Sequence, residues 1–491
     1  MSQYDDRFTS ALQLAFDAAM QYRRGVHDTP AQPVDSYAQQ LQRWEGVALP
    51  AQGLPPEQAV QALLERARPG LRAMTGGRFF GWVNGASHPV GLAADWLTAA
   101  WGQNAANHLA APAAAAAETV AARWLLELLR LPPECSVGFV TGATMANFTA
   151  LAAARSALLA REGWDVEADG LYGAPPLTVL VSEEAHVTVY AGLQYLGLGR
   201  RRVRRVRAQA DGSMDAADFE RALGEAGVGP LLVLLQAGHV NTGACDDFRR
   251  LIPLARARGA WVHVDGAFGL WARACPGRAA LVDGVEQADS WATDGHKWLQ
   301  LPYDSGFVIV RDADAHRRAM TAAASYLPAA QAAERDPTQY VPELSRRARG
   351  FAACALLLHL GRDGVAAMVQ RHCELARDMA DALAREPGVA VLNAVVLNQV
   401  LVRFSAGHAA PGAPRGGEDA GQVDDALNAA VIARVQADAT CFAGGTRWHG
   451  RWVMRISVIG FSADPDDIQR SADAIRKAWR AVRREENIQF S

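Results

Sequence analysis

A chain of 491 residues is longer than a single hydrophobic core normally serves, so two or three domains are expected. Half of the residues are apolar, 21% are charged and the formal net charge is -3, which suits a globular protein in water and gives no basis for binding nucleic acid or anionic lipid. Neither a signal-type apolar leader nor an apolar run of the roughly 20 residues a bilayer needs is read, and six cysteines without a CxxC pair point to reduced thiols, a cytoplasmic location and no metal site.

Residues 1–88 read as a helical N-terminal segment without strand alternation. Residues 89–370 alternate short β-rich runs with helical ones. Strands are predicted at 136–140, 177–182, 201–206, 230–236, 260–265, 289–293 and 305–311. Between them lie helix patterns at 215–227 and 246–259, opening on the N-cap candidates Asp215 and Asp246. Seven strands with helical crossovers predict an α/β domain with a mostly parallel sheet, which binds ligands at the carboxyl ends of its strands. Residues 371–491 read as a small α+β C-terminal domain. Strands are expected within 389–404 and 451–460, a Gly/Pro/Ala-rich surface loop at 405–422, and an amphipathic closing helix at 464–486.

Only two lysines, Lys297 and Lys477, stand among the 49 basic residues. A position that resists so strong an arginine bias suggests chemistry arginine cannot do, because a lysine can lose its proton and act as a nucleophile. A structural lysine at a sheet edge is the competing reading. Asp265 ends the strand WVHVD one crossover earlier, where a carboxylate could hold a pyridine nitrogen protonated or simply cap a turn. The run GFVTGATMANF passes from a strand through Gly142, Ala143 and Thr144 into a helix, whose exposed N–H groups suit a phosphate. His186, after the second strand, could stack on a ring, act as a base, or be structural. All four features fall at strand ends of one sheet.

The segments HVDGAFG, ADSWATDGHKW and PYDSGFVIVRD, with FVTGATMANFTALAAAR, SEEAHVTV and LQAGHVNTGACDDF, resemble the pyridoxal-phosphate-dependent amino acid decarboxylases of the aromatic amino acid and glutamate decarboxylase kind. The resemblance covers roughly residues 75–365. It implies the aspartate-aminotransferase-like fold (fold type I) and a homodimer with shared active sites. It also implies pyridoxal 5'-phosphate bound as an imine of Lys297, with Asp265 on the pyridine nitrogen. His186 and Ala267 would flank the ring, Ala143, Thr144 and His296 would hold the phosphate end, and Trp82 would line the substrate pocket. Asn104 to His108 would face the neighbouring subunit's site. The implied reaction is decarboxylation of an L-amino acid, aromatic by expectation, to the amine.

Two departures stand out. Many relatives carry Asn-Pro before the His-Lys pair, where this chain has Asp294-Gly295. The loop that in the family presents a Cα-protonating tyrosine offers Tyr326 and Tyr340, of which Tyr340 is favoured here; loss of that tyrosine would divert the reaction to oxidative deamination and an aldehyde. An aminotransferase using Arg455 as a carboxylate clamp is the rival within the same cofactor class. A nucleic-acid patch at GRRRVRRVR (199–207) is outweighed by its fit to a strand with one solvated basic face.

Overall fold

The computed structural model describes residues 5–321, 335–405 and 418–489, and it divides into two compact units. One comprises Val83–Arg377 with Leu392–Leu401; the other comprises the residues up to Trp82, Asp378–Val391 and those from Val402 onward. The division thus falls at Trp82 and Asp378, where the sequence placed 88 and 370. Most of the expected N-terminal segment shares its unit with the expected C-terminal domain.

The larger unit is built on a seven-stranded sheet. In chain order its strands are β1 (Ser136–Val140), β2 (Thr178–Ser182), β3 (Arg204–Val206), β4 (Leu231–Gln236), β5 (Trp261–Asp265), β6 (Ser290–Asp294) and β7 (Gly306–Val310). They lie in the order β1-β7-β6-β5-β4-β2-β3. The run from β3 to β6 is parallel, and β7 is antiparallel to both of its neighbours. Central strands such as WVHVD and GFVIV are buried along their whole length, as expected of strands covered on both faces. The Ala143–Arg161 helix packs on β5, β6 and β7 through a run of small residues, Ala150 and Ala152 to Ala154, all at most 1% exposed.

Two glycines set how closely that helix meets the sheet. A Cβ on Gly306 would fall 2.5 Å from the Gly142 Cα, and one on Gly142 would fall 2.9 Å from the His296 ring. The N-terminus of the helix is therefore pressed against the junction of β6 and β7, where Asp294 pairs with Gly306.

Several expectations need correcting. The second crossover helix runs Phe248–Arg256 and is capped by Asp247, whose carboxylate accepts the Arg250 N–H at 3.2 Å. Asp246 is instead buried and accepts the N–H groups of Met214 and Gln236, both at 2.7 Å. With two adjacent acids, burial decided which one caps. Helix Glu418–Asp438 begins inside the expected 405–422 loop, whose positions 406–417 lie outside the described residues. The Gly350–Ala384 segment, two helices that meet at a kink at Gly361, is long and apolar enough to cross a bilayer by length and composition. Leu356, Val365, Val369 and Cys373 on it are fully buried, as on the core helix of a globular unit.

The smaller unit contains a four-stranded sheet, β10-β11-β9-β8, formed by β8 (Val389–Val391), β9 (Gln399–Phe404, entering this unit at Val402), β10 (Gly444–Trp448) and β11 (Arg451–Ser457). β10, which the sequence reading did not include, is the partner of β11 in an antiparallel hairpin. Helices Asp5–Gly25, Tyr37–Glu45, Pro56–Ala67 and the closing helix Pro465–Gln489 complete the unit.

Candidate active site

Lys297 stands in the turn that follows β6. The turn is held from outside the sheet by Gln300, whose amide donates to the Lys297 carbonyl (3.0 Å) while its oxygen accepts the Ala86 N–H (2.8 Å). Gly85 lies so close that a Cβ there would fall 2.3 Å from the His296 carbonyl oxygen. The lysine side chain is about one-fifth exposed, and its Nζ lies 2.9 Å from the Asp294 carboxylate. Lys477, the other lysine, is a surface residue that meets Asp438 at 3.5 Å. The two lysines thus stand in opposite environments, and only the first is enclosed.

Asp265 closes β5 on the neighbouring strand and is 5% exposed. One of its oxygens accepts the Asn147 amide at 3.1 Å and the other the Ala267 N–H at 3.2 Å. Asn147 in turn accepts from His263 Nε2 at 2.9 Å, and His263 Nδ1 meets the Ser290 hydroxyl at 2.9 Å. Burial drives His263 down to about 3, so the ring stays neutral and the network leaves its proton on Nε2. The chain Ser290–His263–Asn147–Asp265 holds a carboxylate at the strand end with two donors already engaged. Sequence reading passed over Asn147; its one signal was a carboxamide inside an otherwise apolar helix run.

His186 caps the Val187–Tyr195 helix and is half-buried, with Nδ1 2.9 Å from the Thr188 hydroxyl. That hydroxyl also accepts a long 3.4 Å bond from Asn147, so His186 and Asp265 hang from one carboxamide. His296 stacks on Tyr303 with ring centroids 4.4 Å apart and accepts the Ser305 N–H at Nδ1 (3.2 Å). Burial lowers its pKa against the opposing pull of Asp294. Tyr303 is pushed the other way, to about 12, by burial and by Asp294. Ala143 and Thr144 form the first turn of the Ala143–Arg161 helix, and the Ala143 N–H donates to Asp294 at 2.6 Å.

These residues fit pyridoxal phosphate: an enclosed amine, a buried carboxylate one strand away, and a helix N-terminus whose close glycines leave backbone donors facing the same strand ends. Asp294 is the one group that does not follow from the fit, since it brings a second anion to the helix terminus.

The remaining expected residues have the following surroundings. Tyr340 ends the short turn Pro337–Tyr340, and its ring is buried against His316 (5.3 Å) and under the Arg335 guanidinium (4.2 Å). Its hydroxyl faces Arg317, whose pKa it helps to raise. Within its own chain the ring is therefore packed beside the β1 edge of the sheet. Tyr326 lies outside the described residues. Trp82 belongs to the smaller unit, where it is half-exposed and stacks on Phe442 at 5.5 Å. Arg455 is in the same unit on β11, with a pKa lowered by burial. Asn104 and His108 both bind the 335–349 segment, through the Arg346 N–H (3.0 Å) and Asp336 (2.7 Å).

Residues 39–406 match the family model of the pyridoxal-dependent decarboxylase conserved domain. An aromatic-L-amino-acid decarboxylase of Bacillus atrophaeus is 28% identical over 268 residues, 54% of each chain. Tryptophan decarboxylase 1 of Oryza sativa subsp. japonica is 26% identical over 500 residues, covering 98% of this chain and 93% of its own. The crystal structure of Oryza sativa TDC with PLP and tryptamine superposes with a TM-score of 0.89 at 23% identity, covering 98% of this chain and 99% of that one.

Proposed function

The chain belongs to the pyridoxal-dependent decarboxylase family, and from that premise we propose that it removes carbon dioxide from an aromatic L-amino acid and yields the amine. The cofactor is pyridoxal phosphate and the reaction class is decarboxylation. The aromatic substrate is supported by relatives named for aromatic amino acids and for tryptophan. The observation that carries the reading is the pairing of Lys297 and Asp265 at the ends of adjacent strands, beside a helix N-terminus.

When bound, the cofactor supplies a protonated pyridine ring that withdraws the electron pair left at Cα as carbon dioxide departs. Lys297 would hold it covalently and exchange with the substrate amine. Asp265, fixed by Asn147 and the Ala267 N–H, would keep the pyridine proton in place. A carboxylate already oriented in a buried setting needs no reorganisation as charge moves toward it. His186 and Ala267 would bound the ring, and Ala143, Thr144 and His296 would hold the phosphate end. Trp82 would line the pocket, and Tyr340 would deliver the proton to Cα that completes the amine. A homodimer with shared sites and a cytoplasmic location complete the reading; the second is supported by six free thiols.

The burial of the Tyr340 ring between His316 and Arg335 favours one alternative product. If no tyrosine delivers a proton to Cα, decarboxylation coupled to oxidative deamination would give an aldehyde. Purified protein supplied with pyridoxal phosphate and each common L-amino acid separates the cases when carbon dioxide, amine, aldehyde and keto acid are scored individually. Carbon dioxide with a matching aromatic amine is expected, and Lys297→Ala should abolish it. Keto acid without carbon dioxide would overturn the decarboxylase in favour of an aminotransferase.

A further inference from the structure

Asp294 is 2% exposed, and both of its oxygens are engaged. One accepts the Ala143 N–H at 2.6 Å and lies 3.4 Å from His296 Nε2; the other lies 2.9 Å from Lys297 Nζ. Its backbone is pinned as well: its N–H donates to the Ala267 carbonyl (2.9 Å), and its own carbonyl accepts the Trp271 indole (3.0 Å). The carboxylate has little room, because a Cβ on Gly142 would already fall 3.2 Å from Oδ1. A carboxylate therefore occupies the backbone donor that a phosphate would use, and it neutralises the amine that must become reactive.

We propose that Asp294 is a resident anion of the phosphate cradle, which caps the Ala143–Arg161 helix and holds Lys297 in the cofactor-free chain and is exchanged for the phosphate when pyridoxal phosphate loads. Two anions compete for one helix N-terminus and its neighbouring ammonium. An amide at this position would accept the Ala143 N–H through its oxygen and offer its N–H groups to the phosphate. A carboxylate can only accept, and it repels. The exchange also separates Lys297 from its counter-ion at the moment the cofactor arrives. Asp294 is thus a positioning residue that keeps the cofactor-free site closed on itself and sets the cofactor affinity below that of an amide-bearing site.

The inference rests on the cofactor assignment and not on the substrate, and its test reads binding. Cofactor-free protein is titrated with pyridoxal phosphate, followed by tryptophan fluorescence, and separately with inorganic phosphate, followed by thermal midpoint. Asp294→Asn should bind pyridoxal phosphate at least about tenfold more tightly than the unchanged chain, and inorganic phosphate should raise its midpoint at lower concentration. Without ligand, its midpoint should drop by roughly 2–4 °C as the ion pair with Lys297 is lost and the charged cap becomes a neutral one. Asp294→Ser, a smaller neutral acceptor, serves if the asparagine variant folds poorly and should also bind more tightly. In a Lys297→Ala background, where the carboxylate has lost its counter-ion, the gain in phosphate binding on neutralising Asp294 should be larger. Equal or weaker binding by both neutral variants would overturn the proposal and make Asp294 a direct cofactor ligand. Failure of the unchanged chain to take up pyridoxal phosphate would sink the cofactor assignment instead.

Discussion

A carboxamide on an apolar helix, Asn147, joins three groups that lie between 41 and 118 residues farther along the chain. It donates to Asp265, accepts from His263 and reaches the Thr188 hydroxyl that His186 also touches. Removing it would free one Asp265 oxygen to rotate and would leave the buried His263 N–H without its acceptor. Loss of such a supporting partner typically lowers activity by about 10- to 100-fold. Asn147→Ala should therefore lose carbon dioxide release by that factor with KM little changed, and its bound cofactor should absorb at a shifted wavelength because the ring environment has changed. An unaltered spectrum with a raised KM would mean that Asn147 serves substrate binding and not Asp265.

At the scale of elements, two buried histidines lose stability in acid. His263 on β5 and His316 on the Ala313–Met320 helix are both held to about 3 by burial. His316 donates from Nε2 to the Tyr340 carbonyl (3.0 Å) and meets the Ser136 hydroxyl at 2.8 Å, tying that helix to β1. Folded values below the ordinary 6.5 mean that the stability these rings contribute is complete above pH 6.5 and is lost as pH falls from there toward 3. Asp246 opposes them. Burial raises it to about 6, so its contribution grows as pH falls from about 6 to 3.8 and offsets one histidine in that window. The share of the unfolding free energy that His263 and His316 supply should therefore fall from pH 6.5 downward. His316→Gln should flatten that decline by up to about 1.4 kcal/mol per pH unit, measured by urea unfolding between pH 5 and 7. A decline equally steep in the variant would refute the assignment to His316.

The elements themselves were largely legible. Six of the seven large-sheet strands were placed within one residue or so of their observed ends, because buried apolar runs bounded by turns leave little choice of period, whereas the exposed, arginine-rich β3 begins at Arg204 and not at 201. The crossover spacing also brought Lys297, Asp265, His186 and the Gly142 turn to one set of strand ends. What the sequence hid was direction and competition. It does not say that Asp294 turns toward a helix terminus, that Asp247 outcompetes Asp246 as a cap, or that Tyr340 packs on His316. The hairpin strand GGTRW escaped because two glycines and an arginine mask its alternation, and its pairing with β11 makes it a strand.

At the scale of the whole molecule, the N-terminal residues carry more exposed apolar surface than a finished monomer needs. Leu12, Val34, Tyr37 and Leu49 are 73%, 88%, 82% and 96% exposed. Beside them, Leu14, Ala18, Tyr22, Leu63 and Leu64 help line a cleft of about 1370 Å³ within the smaller unit. Apolar surface so concentrated in one stretch is characteristic of an interface, and a stable one buries on the order of 800 Å² per partner. A second copy of this chain is the occupant that the proposed homodimer requires. Sedimentation at micromolar concentration should then give a dimer. The pair Leu12→Glu and Leu49→Glu should shift it to monomer and lower carbon dioxide release in proportion, because each site is proposed to need its neighbour. Single-residue changes on this face should act weakly, since exposed leucines share the burial among many contacts. A fully active monomer, in the unchanged chain or in the double variant, would show that each chain completes its own site and that the exposed face serves something else.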